Sequence, residues 1–178
     1  MNAYPKIKLE VTKGALIGGR WVDGSAGTFE VTNPHSGIVL HNVGRCDASD
    51  VEAAVAVARA AQPAWAALSV IERAQIMRKI HQIFLERAEP IAQMVTAEIG
   101  KPITDSREEV FEYSVPSWGK TAEEILRHRG LSFPSTQERT TNKRLVMNHR
   151  SLGVVAVITP YNFPTDISSI ALAHIAAA

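Results

Sequence analysis

An α/β fold is what this sequence predicts, and three observations carry the prediction. A nearly unbroken apolar run, Leu152 to Ile158 with Gly153 as its interruption, has the composition of a strand covered on both faces, best placed as a central parallel strand. It passes straight into a loop, Thr159 to Pro164, and then into a helix that Thr165 or Asp166 can cap and that carries Ile167, Ile170, Ala171 and Ile175 along one side. Ahead of this strand, loop and helix lie strand-and-turn segments followed by long helical stretches.

Residues 1–13 are mixed polar and read as a loose segment or a short edge strand. From Ala15 the text reads as strands and turns: ALIGGRWV, the DGSAG turn at Asp23 to Gly27, TFEVTNP, the HSG turn and IVLHNVGR. Those spacings predict a β-hairpin or meander packed on the domain surface. Asp47 to Ala67 predicts a helix, with Ser49 to Glu52 as a capping box, Val51, Ala54, Val55, Ala58 and Ala61 as its buried face, and Pro63 and Trp65 closing it. A second helix is expected from about Val70 to Ala88, with Ile76, Ile80, Ile83 and Phe84 inward, and a third from about Glu89 to Gly100. A fourth helical stretch covers roughly Asp105 to Arg129, with Pro116 as a kink and Gly130 as its end. Between Phe133 and Arg150 the composition turns polar and β-prone.

The composition bounds the function classes. The 178 residues suffice for one domain with a sizeable core, and a formal charge of +1 gives no general attraction to nucleic acid or an acidic membrane. Arg139, Lys143, Arg144, His149 and Arg150 gather locally but lack aromatic interleaving, so they read as exposed strand positions whose charges discourage stray pairing. Apolar runs fall well short of the roughly 20 residues that span a bilayer. One cysteine excludes an internal disulfide and points to the reducing cytoplasm, and the six histidines stand at no zinc-motif spacing. The last helix runs into LAHIAAA without a Gly, a basic turn or a polar tail, which reads as a chain cut in mid-element.

Ligands of open α/β sheets bind at the carboxyl ends of strands, so Thr159 to Pro164 is the candidate site. Asn162 stands out in it, because a carboxamide offers fixed donors without a charge and suits a developing oxyanion, while Tyr161 and Phe163 can shield it from water. The alternative is an ordinary βα loop whose Asn satisfies turn backbone.

The stretch GVVAVITPYNFP resembles the strand and loop that open the cofactor-binding domain of the NAD(P)-dependent aldehyde dehydrogenases, typically G-V-V-x-x-I-x-P-W-N-F-P. IGGRWVDG at Ile17 to Gly24, TNPHSG at Thr32 to Gly37, Arg73 before a long helix and EIGKP at Glu98 to Pro102 resemble the same family in order, from about residue 14 to the last. The resemblance implies an incomplete Rossmann-like fold: residues 1–132 as amino-terminal strands and helices, 133–150 as strands of an oligomerisation arm, and 151–178 as the first strand, loop and helix of the cofactor core. It implies NAD or NADP as cofactor, an aldehyde oxidised to a carboxylic acid through a cysteine thioester, and a homo-oligomer, dimer or tetramer, in full-length form, without nucleic-acid or membrane partners.

By the same resemblance Ile158, Thr159, Pro160 and Tyr161 line the cofactor together with Asn162, which is the oxyanion donor, and Phe163, Ile167 and Ile170 line the aldehyde tunnel. Lys101 and Glu98 take a structural role. The nucleophile, the base and the lysine and glycine turn that hold the cofactor's ribose and phosphates belong to stretches beyond residue 178, and Cys46 in GRCDASD is not that nucleophile. Tyr161 replaces the commoner Trp, His174 a usual Pro, and Ile170 an Arg frequent in relatives acting on carboxylate-bearing semialdehydes. The competing readings are a catalytically inactive interaction or folding module and a small independent nucleotide-binding domain, the latter without a G-x-G-x-x-G or P-loop to support it.

Overall fold

Two clusters of helices form the core, with three separate hairpins around them. The computed structural model describes residues 14–178, so the amino-terminal segment read as loose or as an edge strand lies outside the described residues. ALIGGRWV is itself a hairpin, β1 (Ala15–Ile17) and β2 (Arg20–Val22), antiparallel with Leu16 opposite Trp21. Gly18 and Gly19 make its turn at φ 60° and 75°, and a two-residue turn that needs positive φ twice selects Gly at both places. β3 (Thr28–Thr32) and β4 (Val39–Gly44) form a second antiparallel pair. The two pairs are separate sheets, not one meander.

Asn33 ties the second hairpin to the helices. Its Oδ1 accepts from the backbone N–H groups of His35 (3.0 Å) and Ser36 (2.9 Å), closing the turn, and its Nδ2 donates to the carbonyl of Ala97 at 3.0 Å. His41 Nε2 lies 3.2 Å from Glu98 Oε1 beside it. Glu98 of the EIGKP stretch is therefore a docking residue, in keeping with a structural role.

α1 (Ala48–Ala67) is capped two positions earlier than expected: Asp47 accepts from Ser49 N and Asp50 N, and Asp50 Oδ2 in turn accepts from Asp47 N. Ser49 spends its hydroxyl on Asp47 Oδ1 at 2.6 Å, so it does not serve as the cap. None of the α1 residues is buried, and Val51 (59% exposed) is far from the interior position its spacing suggested. Asp50, Ala54, Ala58, Gln62 and Trp65 are the half-buried ones, and the Trp65 indole N–H donates to Ala176 O at 3.2 Å.

α2 (Val70–Glu86) starts at a Ser69/Glu72 capping box. Its inward residues are Ala74 and Met77, both fully buried, with Ile80 and Phe84 against them, whereas Ile76 and Ile83 are exposed. α3 (Ala88–Ile99) stops at Gly100 with φ 73°. The stretch expected as one kinked helix is three pieces: α4 (Ile103–Glu108), a π-helical segment (Glu109–Ser114) and α5 (Val115–Arg127). Pro116 sits in the first turn of α5, just after the widened π turn, which runs into α5 without a break.

The first core cluster joins α2 and α5 to α6 (Asp166–Ala177) through Ala74, Met77, Trp118, Ala122, Ile125 and Ala173; the second joins α3 to the π segment and the start of α5 through Ala88, Ala92, Val110 and Val115. Small residues at the α2, α5 and α6 contact let the helices approach closely. That is why α6 turns Ser169 and Ala173 inward and leaves Ile170 at 42% exposure, contrary to the Ile-lined face expected of it.

β5 (Leu131–Phe133) and β6 (Leu145–Met147) form the third antiparallel pair, separated by a short 3₁₀ turn, Glu138–Thr140. Residues 151–160 form no ladder: the expected central parallel strand is absent, with Leu152 91% and Ile158 97% exposed. A parallel strand is stabilised by neighbours on both edges, and every strand pair among the described residues is antiparallel and elsewhere. Apolar residues and unpaired backbone left open in this way template association. The purified 178-residue chain is expected to self-associate, giving concentration-dependent light scattering; a monodisperse monomer with a sharp melting transition would contradict this.

No single helix among the described residues is long and apolar enough to cross a membrane; α1 and α2 meet that test only jointly and are bent by 117°.

Candidate functional site

The loop Thr159 to Pro164 is held from its carboxyl side. Pro164 ends the apolar stretch, and Thr165 begins α6 without capping it through its own side chain. The cap comes from Glu109, the first residue of the π segment. Its Oε1 accepts from Thr165 N (2.9 Å), Thr165 Oγ1 (2.8 Å) and Asp166 N (3.2 Å), which places a carboxylate on the positive end of α6. Glu109 Oε2 pairs with Lys101 Nζ at 2.5 Å, and Ser114 Oγ lies 2.9 Å from both Glu109 O and Thr165 Oγ1.

Lys101 has a second contact. Its Nζ stands 3.7 Å from the centroid of the Phe163 ring, a cation over an aromatic face. Both anchors of the loop thus converge on one ion pair whose carboxylate side chain is 0% exposed and whose ammonium side chain is 14% exposed. Burial alone pushes the Glu109 carboxyl up, but the bonds from Lys101, Thr165 and Asp166 outweigh it and hold it below the ordinary carboxylate range. Asp166 next to it moves the other way, raised by burial and by the Glu109 charge against a smaller opposing effect of Lys101.

Among the residues singled out from sequence, Asn162 is exposed and its carboxamide makes no hydrogen bond within the described residues. Tyr161 is 84% exposed, so it does not wall Asn162 off within this chain. Ile158, Thr159 and Pro160 are likewise open, while Phe163 lies on Lys101 and Ile167 is half-buried on α6. Ile158 and Tyr161 present open apolar surface. A groove of about 420 Å³ runs beside the same segment, lined by Val55, Arg59 and Gln62 of α1 and by residues 152–156.

Cys46 stands apart, at the start of α1 beside Asp47 and Asp50. Burial first, then the charges of Asp50 and Asp47, push its thiol up from the usual value. A helix amino terminus ordinarily favours the thiolate, but the two carboxylates oppose it here. Among the described residues no three His, Cys, Asp or Glu side chains gather as a metal site.

Glu109 is the residue that spacing alone did not single out. It falls on the inward stripe Ser106, Glu109, Val110, Ser114, all buried, where a carboxylate demands a cation, and Lys101 eight positions earlier was the available signal.

Residues 21–178 match the family described as Aldehyde dehydrogenase family. The chain is similar to succinate-semialdehyde dehydrogenase (NADP(+)) of Escherichia coli K12, 38% identical over 152 residues that cover 84% of this chain and 30% of that protein. In structure it resembles an aldehyde dehydrogenase from Brucella melitensis biovar abortus 2308, with TM-score 0.87, 33% identity, and coverage of 98% of this chain and 35% of that one. It also resembles PnpE in complex with nicotinamide adenine dinucleotide, with TM-score 0.84, 31% identity, and coverage of 94% and 34%. The chain thus spans about 30% of the length of the curated relatives it matches.

Proposed function

The chain belongs to the aldehyde dehydrogenase family, and from that premise we propose that it forms the amino-terminal part of an enzyme that oxidises an aldehyde to a carboxylic acid with NAD or NADP. The observation that carries the proposal is the family match over residues 21–178, which includes the loop anchored on Lys101 and Glu109. In this reading Asn162 Nδ2 donates to the oxygen of the aldehyde as a thiolate from sequence outside these 178 residues adds to its carbon. Ile158, Thr159, Pro160 and Tyr161, with Asn162, line the cofactor, which supplies the hydride acceptor when bound. Phe163, Ile167 and Ile170 line the aldehyde path.

Support for the cofactor comes from relatives: one carries NADP(+) in its name and one was solved with nicotinamide adenine dinucleotide. The substrate is proposed only as an aldehyde. Ile170 brings no guanidinium to bind a substrate carboxylate, although relatives named for semialdehydes are similar to this chain. We assign residues 1–132, 133–150 and 151–178 to the amino-terminal layer, the oligomerisation arm and the start of the cofactor core. The exposed Leu131, Phe133, Leu145, Val146 and Met147 of β5 and β6 support an arm that a second copy covers, in a dimer or tetramer. A cytoplasmic location belongs to the same proposal, with the single cysteine as its support.

The 178-residue chain by itself is expected not to oxidise aldehydes. Its one cysteine, Cys46, lies at the start of α1, where burial and the charges of Asp50 and Asp47 raise the thiol from its ordinary value and disfavour the thiolate that would add to a carbonyl. NAD(P)H formation with aliphatic and aromatic aldehydes should equal the buffer blank. A signal abolished by Cys46→Ser would overturn the division of labour proposed here.

A further inference from the structure

One lysine serves both anchors of the candidate loop. Lys101 Nζ stands 3.7 Å over the ring of Phe163, the residue after Asn162, and pairs with the Glu109 oxygen opposite the one that holds Thr165 and Asp166. Asn162 has no hydrogen bond of its own among the described residues, and the segment before it pairs with no strand. Its position is therefore inherited from the residues after it. With successive Cα atoms about 3.8 Å apart, fixing position 163 holds the Asn162 Cα within that distance of it.

We propose that Lys101 and Glu109 are positioning residues that aim the Asn162 carboxamide, Lys101 through Phe163 and Glu109 through Thr165; the inference rests on the oxyanion role given to Asn162 above. The energetics favour this over a purely structural account. A buried ion pair is commonly matched or bettered in stability by well-packed apolar residues, so stability alone is a weak reason for one here. What an apolar pair would not supply is three directed hydrogen bonds to the start of α6 and a cation on the Phe163 face.

The test uses the full-length protein and the variants Lys101→Met, Lys101→Arg and the near-isosteric Glu109→Gln, each alone and combined with Asn162→Ala. Two readouts are needed: steady-state kinetics, and amide hydrogen exchange at Phe163, Thr165 and Asp166. Lys101→Met is expected to lower kcat on the order of 10- to 100-fold, the scale of a small misplacement of a reacting group, with the KM for NAD(P) unchanged. The loss should vanish in the Asn162→Ala background, and the three amides should exchange faster. Lys101→Arg should restore part of both effects, and Glu109→Gln should reproduce them if Lys101→Met folds poorly. Equal losses with and without Asn162, or unchanged kcat and exchange, overturn the positioning role. If Asn162→Ala alone turns over normally, the oxyanion assignment fails and takes this role with it; that result is distinct from a functional Asn162 that ignores Lys101.

Discussion

Replacing Asn162 by Ala in the full-length protein is expected to lower kcat on the order of 100- to 1,000-fold, the usual consequence of losing one oxyanion donor. Cofactor Kd should barely change, because the lost bond is made to the reacting oxygen. The side chain is exposed and unpaired within the described residues, so its removal should leave the melting temperature within the small range of surface substitutions. Asn162→Asp should be at least as damaging, since a carboxylate has no N–H and repels the developing negative charge. If Asn162 only held the turn together, both variants would instead lose stability and activity in proportion. Measuring kcat, cofactor Kd and melting temperature for all three proteins separates these outcomes, and normal turnover in a stable Asn162→Ala protein would end the assignment.

Glu109→Ala is expected to destabilise the fold by about 3–5 kcal/mol, the cost of removing one partner of a buried ion pair. Lys101 would be left largely buried without its counter-charge, and the N–H groups of Thr165 and Asp166 would lose their acceptor. Denaturant unfolding measures the loss; a change below about 1 kcal/mol, the scale of an exposed pair, would show that water reaches the pair freely.

The pH dependence has a definite sign. The folded-state pKa of Glu109 lies below its ordinary value of 4.5, so its contribution is fully present above pH 4.5 and is lost as pH falls through the lower folded value. Glu89, bonded to Arg107 and Gln93 and lowered to about 2, follows the same direction, with its effect reduced by solvent screening. Acid should therefore weaken the wild type more steeply than Glu109→Ala.

Local signals were legible wherever one stretch of chain decides its own conformation. Gly18–Gly19, Gly100 and the helix starts at Ala48 and Val70 are set by φ preferences and caps that a few neighbouring residues satisfy. The ordered set of motifs from Ile17 to Pro164 is enough to identify the family, because separate matches in order are far more specific than one loop. Tertiary structure alone decided which faces are inside. Val51, Ile76 and Ile170 have the right periodicity for a core, yet Ala74, Ala122 and Ala173 occupy it, since burial goes to the residues that let helices come closest. It also decided that Leu152 to Ile158 pairs with no strand within this chain, because a ladder requires a partner that local composition cannot supply. And it joined Lys101, Glu109 and Thr165, where a carboxylate excluded from water had to find its cation and its donors across 56 residues of sequence.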